Sequence, residues 1–297
     1  MEWFEAGLWA YSEAPHIASQ FLQPWPGQVL VPATSDRPEH YAAPEVHHPR
    51  RIHKLVTLEQ FRSQPWDYLL ASVTQHEHLW HDLADSIGAR SIIQVGNVGQ
   101  PVDWGLSHKV LCAAALDIPE GRGLVYHPEF NRAEYRMAPP TNQKRITSFM
   151  NCLPDAGPAY EDWQRLQELL PDFEFKEYGI LGRDGIIGPS EAVGDEMRRA
   201  GWAFHDKPQG DGYGFVIHQW AAVGRPLIGR KSYYAGKLAE PLWSEAIDLD
   251  QGVELAAQVI REMSTDEWRG LASRTAERFR GTINFGAEAE RIRDYLA

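Results

Sequence analysis

Two spacings of apolar residues alternate along the chain. Short apolar runs at 67–73 (DYLLASV), 91–95 (SIIQV), 146–150, 173–178, 202–205 and 226–228 have the length of buried strands. Between them, Leu79, Leu83 and Ile87 recur every four residues, as on one apolar helical face. Tyr160, Trp163, Leu166 and Leu170 form a second such face, and Val193, Met197 and Ala200 a third. Gly88 stops the first helix and Pro189-Ser190 opens the third. Further on, 246–248 reads as a strand and 252–263 as a helix. Ser264 and Glu267 form a capping box before a helix carrying Trp268, Leu271, Ala272 and Phe279. A last helix is expected over 287–296. Strands alternating with helices predict an α/β fold with parallel sheets covered on both faces.

The pattern weakens elsewhere. Residues 28–31 read as a short strand, but residues 1–26 lack the strand and glycine loop with which a nucleotide-type domain usually begins. The N-terminal domain is expected to be shortened or altered. Residues 32–54, rich in Pro, His and charge, read as a solvated loop; a local basic patch for a phosphate-bearing acceptor is the alternative. Glycines and prolines break up 105–145, and Ala138-Pro139-Pro140-Thr141-Asn142 reads as a linker. The boundary falls there, giving domains 1–140 and 141–297.

Composition narrows the function classes. The 297 residues suffice for two domains, and a hydrophobic content of 43% is that of a globular chain. No apolar run approaches the roughly 20 residues of a membrane span, and the acidic start MEWFEAGLWAYSEAPH does not read as a signal peptide. With Cys112 and Cys152 its only cysteines, the chain fits a reducing compartment, so a cytoplasmic protein is expected. A net charge of −12 argues against an anionic membrane surface and a broad nucleic-acid surface, though not against a local basic groove. His76, His78 and His81 raise zinc, but on a helix His76 and His78 point about 200° apart and no fourth ligand is spaced to help. No metal site is expected.

The chemistry concentrates in 211–228, DGYGFVIHQWAAVGRPLI. A turn, Asp211-Gly212-Tyr213-Gly214, leads into an apolar helix from Phe215 to Val223; Gly224 ends the helix and a strand follows. Free N–H groups at the helix start, helped by the dipole, make an anion site. On the glycines alone, a plain connecting turn is the readier reading of Gly-x-Gly.

The whole stretch resembles the donor-binding segment of GT-B glycosyltransferases, in the group with two acidic residues eight positions apart. Asp211, Gly212, Tyr213, Gly214 and Phe215 match that pattern in order, and Ala222, Gly224, Pro226, Leu227 and Ile228 match again without a gap. Asp211 replaces the usual Glu. Gln219 stands where the second Glu usually contacts the nucleotide ribose, and Trp220 replaces a small Ala. The resemblance implies two Rossmann-like domains facing a cleft: an acceptor-side domain, and a domain for a nucleotide sugar such as a UDP- or GDP-sugar. The final helix is then expected to return to the N-terminal domain.

The implied activity is metal-independent sugar transfer, with no cofactor and an unknown acceptor; net charge disfavours a nucleic-acid acceptor. The donor candidates are His205, Lys207, Asp211, Gly212, Tyr213, Gly214, Phe215, Gln219 and Asn151. Gly96 and Asn97 are cleft candidates by position. His76, His78 and Asp103 are acid/base candidates from the N-terminal side, with His205 and His218 nearer the motif and His218 expected to pack. The loop Asn151-Cys152-Leu153-Pro154-Asp155 has no base where relatives carry Arg and Lys, and Lys144 and Arg145 precede the strand. Two other readings therefore stand: a catalytically weak GT-B protein that binds a nucleotide or partner, and a sugar-nucleotide epimerase.

Overall fold

A computed structural model describes residues 29–31, 40–42, 65–71, 77–96, 100–114, 118–188, 190–208 and 211–297. His76, Asn97 and most of 1–64 lie outside the described residues. The chain divides into two compact units, Met1–Asp67 with Asp85–Ala89, and Tyr68–Ala84 with Arg90–Ala297. In the first, β1 (Val29–Val31) pairs antiparallel with β2 (His40–Ala42).

The second unit holds two wholly parallel sheets. The first has the order β3-β4-β5-β6, from β3 (Tyr68–Ala71), β4 (Arg90–Val95), β5 (Lys109–Cys112) and β6 (Gly123–Val125). Helix α1 (Glu77–Ile87) connects β3 to β4. Edge strand β3 alternates exposed and buried positions, whereas Ile92, Ile93 and Val95 of β4 are all buried. Strands β5 and β6 fall in the stretch that sequence periodicity left unassigned. At four and three residues among glycines and prolines, they are too short to display a period.

The second sheet has the order β11-β10-β9-β7-β8, from β7 (Arg145–Ser148), β8 (Glu174–Glu177), β9 (Trp202–Phe204), β10 (Leu227–Gly229) and β11 (Ile247–Asp248). Its helices are α2 (Pro158–Leu169), α3 (Ser190–Arg199), α4 (Phe215–Val223), α5 (Val253–Glu262), α6 (Thr265–Thr282) and α7 (Phe285–Leu296). One core packs Met197, Ile217, Trp220, Trp243 and Phe279. Another packs Trp163, Leu166, Trp202, Phe204, Ile260 and Trp268. Central strand β9 is buried throughout, as expected of a strand covered on both faces. Both halves of the capping box at Ser264 are made.

Helix α7 starts two residues before its expected position, because the Asn284 side chain caps it by accepting the Ala287 N–H. It lies on the four-stranded sheet. Ile292, Tyr295 and Leu296 pack against the cluster of Ile92, Leu111 and Tyr126. The Tyr295 hydroxyl donates to the Arg122 carbonyl at 2.9 Å and accepts the Val110 N–H at 3.2 Å. No helix among the described residues is long and apolar enough to cross a membrane.

Candidate active site

Parallel sheets present their loops at the carboxyl ends of the strands, and the segment after β9 is such a loop. It descends from β9 through His205, Asp206 and Lys207 to Asp211, then turns at Gly214 into α4. Gly214 is left-handed (φ 72°), a conformation available to glycine at no steric cost. No side chain caps α4, so its first-turn N–H groups lack partners within the helix and face the loop.

Asp211 is the charge centre of the loop. Its Oδ2 lies 2.7 Å from His205 Nε2, and its Oδ1 pairs with the Lys207 ammonium. Burial pushes the Asp211 carboxyl up, but the hydrogen bond and charge of His205, together with Lys207, outweigh that and hold it below the ordinary carboxylate range. Lys207 is half exposed, so its ammonium can exchange Asp211 for a ligand oxygen. Beneath the loop, buried Asp206 accepts the Arg230 N–H at 2.8 Å and pairs with the Arg230 guanidinium, which also reaches Asp162 at 2.5 Å. This clamp fixes the ends of β9 and β10 from below. Nothing in the sequence spacing flagged it.

The two glycines and the aromatic of the motif have distinct roles. Gly212 sits where a Cβ would lie 2.8 Å from the Ala114 Cβ and from the Gly96 carbonyl oxygen. The loop thus touches the backbone that follows β4 and β5. Tyr213 is 2% exposed and belongs to the core cluster of the four-stranded sheet. Its ring stacks on His218 at 3.9 Å, with 17° between planes. His218 is buried as expected, its Nδ1–H donating to the Gly214 carbonyl at 3.0 Å, and burial lowers its pKa to about 3. Neutral His218 is therefore part of the packing under Tyr213. Edge-on to both rings stands His127, its Nδ1 2.8 Å from Glu288 Oε1 of α7.

Trp220 fills space against Phe149 at 5.4 Å, so the residue that departs from the motif is an integral core side chain. Gln219 is half buried on the same helix. Gly224 adopts φ 76° and ends α4, and Arg225 next to it is 1% exposed. The Arg225 guanidinium donates to carbonyls of Met197, Arg198, Val223, Gly224 and Ala138, serving the carboxyl ends of α3 and α4.

Asn151, after β7, is exposed, and its carbonyl accepts the Leu181 N–H at 2.9 Å. The loop after β8 thereby folds onto the one after β7. Leu181 and Phe215 remain 45% and 46% exposed at this end of the sheet. Lys144 pairs with Asp172, and Arg145 with Glu196 and Glu174, at the opposite end of β7, so neither reaches the loop before α4.

The structure brings His205, Lys207 and Asp211 together and sets Gly96 against Gly212. Separately it joins two acid/base candidates, with His78 Nε2 3.0 Å from Asp103 Oδ2.

No family model and no curated protein sequence matches the chain. Solved structures do match. Anabaena HepE in complex with UDP-glucose superimposes with a TM-score of 0.56 at 11% identity, over 77% of this chain and 78% of that one. An alpha-glucosyltransferase in complex with UDP-glucose and DNA gives 0.56 at 11% identity, over 80% and 82%. TarM of S. aureus, in complex with UDP and alpha-GlcNAc-glycerol, gives 0.52 at 9% identity, over 72% and 53%. The fold is that of the GT-B glycosyltransferases.

Proposed function

We propose that the protein is a glycosyltransferase that takes a sugar from a nucleoside diphosphate sugar, with a uridine nucleotide as the first donor to test. The observation that carries this reading is the loop before α4. An ionised carboxylate, Asp211, is held between His205 and Lys207 beside an uncapped helix start. In this reading the α4 N–H groups and Lys207 take the diphosphate, which leaves as the sugar departs, and charge is stabilised where it develops. Asp211 orients Lys207 and contacts the sugar. Exposed Phe215 and Leu181 offer apolar surface to the nucleoside. Residues 141–297 hold the donor, and His78 with Asp103 stands on the acceptor side. The positive charges of protein and helix dipole replace a metal, and the reaction takes place in the cytoplasm. The UDP-glucose complexes of HepE and the alpha-glucosyltransferase support the donor class.

The absence of any base from residues 151–155 favours a second reading, a nucleotide-binding protein with weak turnover.

Calorimetric titration with UDP, GDP, ADP and dTDP, without and with magnesium, separates the two readings when combined with a turnover assay. The expected result is binding of UDP, insensitive to magnesium and weakened roughly 10- to 100-fold in Lys207→Ala, since a charge-assisted hydrogen bond contributes about 1.5–3 kcal/mol. Failure of all four nucleotides to bind would refute the donor site. Binding without sugar release from any UDP-sugar would favour the second reading.

A further inference from the structure

A second cluster of titratable side chains lies at the start of α1 and in the segment that follows β4. Glu77, the first residue of α1, is 6% exposed. Its Oε1 accepts the backbone N–H of Asp103 at 2.7 Å. The Asp103 side chain has other partners: Oδ1 accepts the Gly105 N–H at 2.8 Å, and Oδ2 lies 3.0 Å from His78 Nε2. His78 and Asp103 are open to solvent, whereas Glu77 and His108 are not. His108 Nε2 stands 3.8 Å from Glu77 Oε2. Neither that oxygen nor either ring nitrogen of His108 has a hydrogen-bond partner among the described residues.

Burial raises the Glu77 pKa, the Asp103 N–H opposes it, the Asp103 charge adds to it and His78 lowers it. Burial lowers the His108 pKa, helped by His81, Arg122 and His78 and opposed by Asp103. Both shifts favour neutral groups. The 3.8 Å approach of His108 is too long for a hydrogen bond, whereas the Asp103 N–H meets Glu77 at 2.7 Å.

Topology links this cluster to the donor loop. Helix α1 follows the carboxyl end of β3, and the segment 96–108 leaves the carboxyl end of β4, its parallel neighbour. That segment starts at Gly96, against Gly212, where the Gln100 side chain accepts the Gly96 N–H at 2.7 Å. It continues to Asp103, where Glu77 anchors it.

We propose that Glu77 is the positioning residue of the acceptor-side rim. By holding the Asp103 N–H, it sets the loop on which Asp103 orients His78. The proposal rests on the glycosyltransferase reading above. An acidic side chain at the first position of a helix ordinarily serves the N–H groups of that helix; here it serves a distant segment, which leaves the His78–Asp103 pair exposed on a fixed base.

The test compares wild type, Glu77→Gln and Glu77→Ala by hydrogen exchange over residues 100–108, UDP affinity, and UDP release from a panel of UDP-sugars. Glutamine keeps a carbonyl oxygen to accept from Asp103; alanine keeps none. Exchange over 100–108 is expected to quicken in Glu77→Ala and not in Glu77→Gln. In the alanine variant kcat falls roughly 10- to 100-fold, the scale of a small misplacement of reacting groups, while UDP affinity and donor KM stay at wild-type values. Glu77→Gln restores kcat. Where Glu77→Ala is not folded by circular dichroism, Glu77→Leu, which fills the space without an acceptor, takes its place. An acceptor-less variant with wild-type kcat, or a glutamine variant as slow as it, overturns the proposal and leaves the glycosyltransferase reading standing. Wild type that releases no UDP from any UDP-sugar sinks that reading, and this proposal with it.

Discussion

Gly212→Ala tests the loop geometry most directly. The added methyl would sit 2.8 Å from the Gly96 carbonyl oxygen, 2.8 Å from the Ala114 Cβ and 3.2 Å from the Ala113 carbonyl oxygen. Two of these neighbours are backbone atoms, and none can swing away as a long side chain would. Ala113 is pinned by its N–H, which donates to the Val95 carbonyl at 2.8 Å. The loop itself must move, and such overpacking costs about 1–3 kcal/mol. For a unit of this size that lowers Tm by roughly 2–10 °C. A displaced loop carries Asp211 and the α4 start with it, so UDP affinity should fall about tenfold or more, equivalent to about 1.4 kcal/mol. Gly281→Ala is the control: nothing lies within 4 Å of its added methyl, and alanine in a helix is favoured over glycine by about 0.5–1 kcal/mol. Differential scanning calorimetry and UDP titration on both variants decide the matter. A Gly212→Ala protein with wild-type Tm refutes the packing argument. One with lowered Tm but unchanged UDP affinity refutes the placement of the donor at this loop.

Three further outcomes are expected. His218 stays neutral when folded because burial lowers its pKa to about 3, against about 6.5 unfolded; the stability it contributes is full above pH ~6.5 and drains as pH falls toward 3. His218→Phe, which keeps a ring against Tyr213, should flatten urea-measured stability over that window; an unchanged slope would contradict a buried neutral imidazole. Arg225→Met removes the donor to five carbonyls and should cost at least about 3 kcal/mol, read as a lowered urea midpoint at unchanged slope. Ser264→Ala opens the capping box of α6 and should cost about 1 kcal/mol by the same measurement.

Much of the five-stranded sheet was legible in the sequence, because its strands alternate with helices long enough to show a period. The loop before α4 was legible for another reason: its glycines, its aromatic and the glycine stop at 224 occur in fixed order. What escaped notice depends on contacts across the sequence. Tyr213 reads as a loop aromatic, yet its ring lies in the core of the other sheet. His78 and Asp103 carry no mutual spacing signal; they meet because the segment after β4 returns to the start of α1. Glu77 looks like an ordinary first-turn acid between two histidines, and only its burial and its bond to Asp103 set it apart. Arg225 carries no signal in the sequence beyond its place after the glycine stop, whereas the folded chain surrounds it with carbonyl groups. Strands β5 and β6 were lost to their brevity.

The seating of α7 on the four-stranded sheet has a consequence for how the protein is made. The sheet leaves the ribosome first, its last strand ending at Val125, while the helix that covers it begins only at Phe285. At about 5–20 residues per second, the intervening stretch takes on the order of 10–30 s to synthesise. Throughout that interval Ile92 and Leu111 wait for Ile292, Tyr295 and Leu296. The nascent chain therefore carries an uncovered apolar sheet face that a chaperone can bind and a neighbouring nascent chain can stick to. Yield during expression should then depend on chaperone supply and on translation speed through 126–284 more steeply than the stability of the finished molecule would suggest.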